Sequence, residues 1–123
     1  MSSDITVQTV RLALGMNELQ ARVASVNIAN AGKTGAGEMR VDFGSLQSIL
    51  ASATSSTADT GVAERLRAAA AGLANSAPFD TGAPINADEQ IGDMVAASIN
   101  YQALGEALSR HMGLMRLAAT GRN

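Results

Sequence analysis

The chain has 123 residues, enough for one domain, and 46% of them are hydrophobic while only 2% are aromatic and none is tryptophan. Burial therefore rests on Ala, Leu, Val, Ile and Met, a vocabulary of packed helices, and the absence of cysteine excludes disulfide staples and thiolate metal ligands. Nine basic against eleven acidic residues leave a net charge of −2, too weak a field to draw nucleic acid or anionic lipid to the surface.

The first segment, residues 3–31, is expected to be a long helix. Ile5, Leu12, Leu19 and Val26 recur every seven residues, with Met16 and Val23 offset by four, which keeps one apolar stripe on one side of a helix. Ser2 or Ser3 suits the cap, Asp4 the positive helix end, and Gly32 the stop. Asn27 and Asn30 stand three apart near that stop, Asn30 continuing the apolar seam. Two readings are open: the asparagines satisfy the last carbonyls of the helix, or a buried asparagine sets register against a partner helix.

Residues 32–86 read as a loop and linker region. Gly32-Lys33-Thr34 resembles the end of a phosphate-binding loop, but Asn27 stands where its first glycine belongs, and the element follows a helix, not a strand. Val41-Asp42-Phe43 followed by Leu46, Ile49 and Leu50 suggests a short extended piece and then a helical turn. Ala51 to Gly61 is small, polar and aperiodic, which predicts a flexible, partly disordered connection. A short helix is possible over residues 62–75 through Leu66, Ala69, Ala70 and Leu73, and residues 76–84 form another loop.

The last segment, residues 87–120, repeats the first pattern. Met94, Tyr101, Leu108 and Met115 lie seven apart, flanked by Ile91, Leu104, Met112 and Ala118. Asn86 and Glu89 have the spacing of a capping box, and Arg110, Arg116 and Arg122 lie toward the negative end of the helix. The fold class is thus mainly α: paired long N- and C-terminal helices, a coiled-coil-like hairpin, around a flexible middle. Two stripes of this size bury too little to order so long a hairpin comfortably, so they are expected to gain neighbours from other chains.

No enzyme chemistry emerges. His111 is the sole histidine and has no second imidazole or thiol with which to complete a metal site. Asp88, Glu89 and Asp93 cluster at a helix start, where carboxylates serve the dipole. No catalytic, cofactor-binding or metal-binding residue is assigned, and no cofactor is expected. Met1-Ser2-Ser3-Asp4 lacks the basic start of a cleaved secretory signal, and no run of about 18 apolar residues is present to span a bilayer.

Asn27-Ile28-Ala29-Asn30-Ala31 followed by Val41-Asp42-Phe43, together with Pro84-Ile85-Asn86-Ala87-Asp88-Glu89-Gln90-Ile91 and Asn100-Tyr101-Gln102-Ala103-Leu104 at the far end, resembles the FlgB family of flagellar basal-body rod proteins. The resemblance covers about half of the chain. The family usually has Asp-Thr-Pro-Gly-Tyr-Lys where this chain reads Gly32 to Gly37, and only Gly35 is kept; without the proline and tyrosine the loop loses a fixed backbone angle and a docking side chain.

The resemblance implies a structural subunit of the proximal rod, exported through the flagellar type III apparatus without a cleaved signal and placed in the periplasmic rod. Its partners would be other rod proteins, the adaptor joining the rod to the membrane ring, and further copies of itself, without nucleic acid or direct membrane insertion. The expected assembly interface comprises Leu12, Met16, Leu19, Val23, Val26, Asn27, Asn30, Met94, Tyr101, Leu104, Leu108, Met112 and Met115. A second reading is a soluble helical adaptor or export-associated binding module of the same system.

Overall fold

The computed structural model describes residues 3–53 and 60–121. Four helices dominate it: α1 (Ser3–Asn30), α2 (Gly44–Ala53), α3 (Thr60–Gly72) and α4 (Ala87–Thr120), with a 3-10 turn at Leu73–Asn75. Two short strands, β1 (Met39–Arg40) and β2 (Phe79–Asp80), pair antiparallel with Met39 opposite Asp80 and Arg40 opposite Phe79. Among the described residues, no helix is long and apolar enough to cross a membrane.

Both long helices form where the seven-residue spacing places them. α1 stops at Asn30, followed by turns in which the Asn30 carbonyl accepts from the Lys33 N–H at 3.0 Å. α4 begins as its cap predicts: the Asn86 side chain accepts from the Glu89 N–H at 3.2 Å. The two helices run antiparallel in extensive contact. Their register is read from Asn27 beside Gln90 and Ser25 beside Met94. That register brings Ala24 and Ala97, both buried, within a turn of each other, and two small side chains let the backbones approach closely. With 34 residues against 28, α4 outlasts α1, and its last turns extend beyond the start of α1.

The middle of the chain is more ordered than expected. The short helix expected over residues 62–75 forms as α3 and the 3-10 turn, and the helical turn expected after Phe43 extends into the full helix α2, while both strands stand in stretches read as loop. Of the stretch expected to be flexible, Ala51–Ala53 belong to α2 and Thr60–Gly61 to α3; positions 54–59 lie outside the described residues. The strand in the loop at 76–84 has no periodic signal, because two residues are too few to show alternation.

The larger correction concerns the core. The apolar stripe on α1 was expected to meet the C-terminal helix or a neighbour, but Ile5 and Leu12 pack with Ala53 of α2 and with Val62, Ala63 and Leu66 of α3. Met16, Leu46, Ile49, Leu50, Ala69, Ala70 and Leu73 surround that cluster. The physical reason lies in the side chains available. α2 and α3 supply branched residues spaced three and four apart, which fill the volume over Leu12, whereas the contacts of α1 with α4 include the polar pairs Asn27–Gln90 and Ser25–Met94. α1 is therefore covered on two sides. Arg67 of α3 adds an exposed tie to α1 through Asp4 at 3.4 Å, and its guanidinium is held above its ordinary pKa by its hydrogen bond and charge pairing with Glu64, and then by Asp4.

Candidate functional site

Where α1 ends, the strand pair and the start of α4 converge on one side chain. Asn27 is 1% exposed, and its amide is used on both ends. Its Oδ1 accepts from the Met39 N–H at 2.8 Å, while its Nδ2 donates to the Met39 carbonyl at 3.0 Å and to Gln90 Oε1 at 2.9 Å. Gln90, itself buried, donates from Nε2 to Glu38 Oε1 at 2.7 Å. Arg40 Nε approaches the other Glu38 oxygen at 3.3 Å. A helix end, a strand and a second helix are thereby joined by four short hydrogen bonds.

The sequence prepares this arrangement locally. Glu38 is carried into place by the strand pair: its N–H donates to the Ala83 carbonyl and its own carbonyl accepts from the Thr81 N–H, both at 2.9 Å. Gly35 has φ +82°, a backbone region that side chains disfavour. Gly37 lies so close to Asp80 that a Cβ there would overlap its carboxylate. Asp80 in turn accepts from the Gly82 N–H at 2.8 Å. Gly32, Lys33 and Thr34 are exposed in the turns after α1.

Of the two readings of the asparagines, the register reading describes Asn27, with the partner supplied by the same chain instead of a neighbour: its side chain binds Met39 and Gln90. Asn30 is half-buried. Gln90 and Glu38 were missed. Gln90 had a usable signal, since it precedes Met94 by four and Ala97 by seven and is therefore a polar residue on the inward stripe of α4. Glu38 had none, because nothing in a glycine-rich connection says which side chain will turn inward.

The remaining interface residues fall into three groups. Leu12, Val23 and Asn27 are buried within the chain. Met16, Leu19, Asn30, Met94, Leu104 and Leu108 are half-buried, Met94 accepting a contact from the Ser25 hydroxyl at 3.4 Å. Val26, Tyr101, Met112 and Met115 are exposed.

The sequence stripe did not single out the full apolar surface of α4. Ile91, Val95, Ile99, Leu114 and Leu117 are also exposed, Leu114 at 65% and Leu117 at 64%. Val95 is two residues from buried Ala97, about 200° around the helix, so α4 carries apolar side chains on opposite sides. Among the described residues, no group of three or more His, Asp or Glu side chains is arranged to hold a metal. The depression bounded by Gln20, Glu38, Arg40, Gln90 and Asp93, about 250 Å³, is polar and open. In comparisons with known proteins, the chain matches no family model, no curated protein and no solved structure.

Proposed function

We propose that this chain is a structural subunit that assembles through its long terminal helices, of the kind that builds the proximal rod of the bacterial flagellar basal body. The observation that carries the reading is the surface of α4. One side packs on α1, while Ile91, Val95 and Ile99 on another side, and Met112, Leu114, Met115 and Leu117 near its end, stand exposed. Exposed apolar side chains gathered along one helix in this number fit a protein–protein contact. The rod assignment itself rests on the resemblance of both chain ends to the FlgB family.

In this reading the Asn27–Met39–Gln90 hydrogen bonds act as a brace. They hold the ends of the two helices that bear the assembly surfaces at a fixed angle and register, so that a load on α4 passes to α1 without sliding. The partners are other rod proteins and the rod-to-ring adaptor. Fractionation of cells producing a tagged chain tests the proposal. Co-purification with basal bodies is the expected result; recovery only in a soluble complex with export components overturns it in favour of a helical adaptor.

A further inference from the structure

On the side of α1 turned away from α4, a groove runs along its contact with α3 and the 3-10 turn. Two adjoining depressions of about 250 and 270 Å³ share Leu19, Arg22 and Leu73 as lining. They extend from Arg11 to Val26, about 22 Å of helix. The floor is apolar, formed by Leu19, Val26 and Leu73, and the rim carries Arg11 and Arg22, with Glu18 paired to Arg22 at 3.0 Å. Arg11 has no ion-pair partner among the described residues.

The same molecule presents the counterpart on α4. Ile91, Val95 and Ile99 are four apart and 45%, 49% and 60% exposed, forming an i±4 ridge about 12 Å long that fits within the groove. The charge along that part of α4 is of one sign: between positions 87 and 99 stand Asp88, Glu89 and Asp93 without a lysine or arginine. Asp88 lies at the start of the ridge, three residues before Ile91. An acidic apolar ridge and a groove rimmed by arginines are complementary in shape and charge.

One chain cannot use both on itself. Val95 stands about 200° around α4 from buried Ala97, and Val26 stands about 200° around α1 from buried Ala24. The ridge and the groove therefore point away from each other across the hairpin. We infer that the α4 ridge of one copy docks in the α1–α3 groove of a second copy, a head-to-tail contact that leaves a free ridge at one end and a free groove at the other. Such a heterologous contact repeats, closing into a ring or growing as a helical polymer. The inference rests on the structural-subunit reading and names its self-contact.

Sedimentation velocity of the full chain over a concentration series tests this, with circular dichroism to confirm that each variant keeps its helix content. Val95→Glu blocks the ridge and Val26→Glu blocks the groove, both at exposed positions. The wild-type mass is expected to grow beyond a dimer and to fall with added salt, while each variant alone associates about tenfold more weakly or worse. An equimolar mixture of the two variants retains one intact ridge and one intact groove, and is expected to stop at a dimer. The proposal is overturned if the wild type stays monomeric throughout, if either variant assembles like the wild type, or if the mixture fails to pair. Wild-type growth untouched by both substitutions overturns this pairing while leaving the structural-subunit reading intact, because the copies then join through other faces; basal-body fractionation judges that reading separately.

Discussion

Replacing Asn27 by alanine removes one buried side chain and three hydrogen bonds: two to the Met39 backbone and one to Gln90. At a net 0.5–1.5 kcal/mol each, the loss amounts to about 3 kcal/mol. Water does not offset this loss because the site is closed: Asn27 is 1% exposed and Gln90 is 2% exposed, so the abandoned amide and carbonyl groups are poorly placed to recover it. With a urea slope of about 1.5 kcal/mol/M, the unfolding midpoint falls by about 2 M. The assay is urea denaturation followed by circular dichroism at one low protein concentration, since association with other copies would add stability by mass action. Asn30→Ala, half-buried and three residues away, serves as the control and should move stability by about 0.5 kcal/mol or less. Adding Gln90→Ala in a double-mutant cycle should return a coupling of about 1 kcal/mol for the direct bond. If Asn27→Ala unfolds within about 0.5 kcal/mol of wild type, the convergence of helix end, strand and α4 contributes nothing, and the bracing role assigned to it is wrong.

Leu66→Ala empties a fully buried position between α3 and α1 and should cost about 2–5 kcal/mol in the same denaturation assay; a change below about 1 kcal/mol would mean that α3 does not hold the core. Leu108→Asp places a carboxylate at a half-buried position on the inward side of α4 and should destabilise by several kcal/mol, whereas Glu106→Lys, which gives up only the exposed pair with Arg110 at 2.7 Å, should cost about 0.5 kcal/mol; equal effects in thermal melts would refute the placement of the α4 faces. Gly37→Ala forces the Asp80 carboxylate aside and breaks its 2.8 Å bond to the Gly82 N–H, for a loss of about 1 kcal/mol, read as faster amide hydrogen exchange at Gly82 with α1 unaffected.

The two long helices were legible because each carries its own evidence. Seven-residue spacing from Ile5 to Val26 and from Met94 to Met115, with Asn86 and Glu89 at the cap, is a local pattern. It specifies a helix whatever that helix later meets, and α1 and α4 form within a residue of the expected limits. Periodicity names a face but not its partner. The α1 stripe was legible as a packing surface, yet only the folded chain shows Ile5 and Leu12 covered by Val62, Ala63 and Leu66, because that choice depends on how α2 and α3 fold back across some fifty residues.

The candidate site divides the same way. Sequence placed Asn30 on the apolar seam with Asn27 three residues before it, whereas the folded chain buries Asn27 and leaves Asn30 half-buried; that a buried asparagine sets register is sound physical chemistry. The partners of Asn27, Met39 and Gln90, lie 12 and 63 residues away, and a hydrogen bond over that separation has no periodic trace. The exposed ridge at Ile91, Val95 and Ile99 was similarly hidden. The stripe from Met94 to Met115 is one of two apolar sides of α4, and only the position of α1 decides which side is buried and which is left for another molecule. Sequence alone thus determined that two long terminal helices flank the middle of the chain, because helix formation and capping are local. Tertiary structure decided which faces are core and which are surface, because burial depends on side chains brought together from distant parts of the chain.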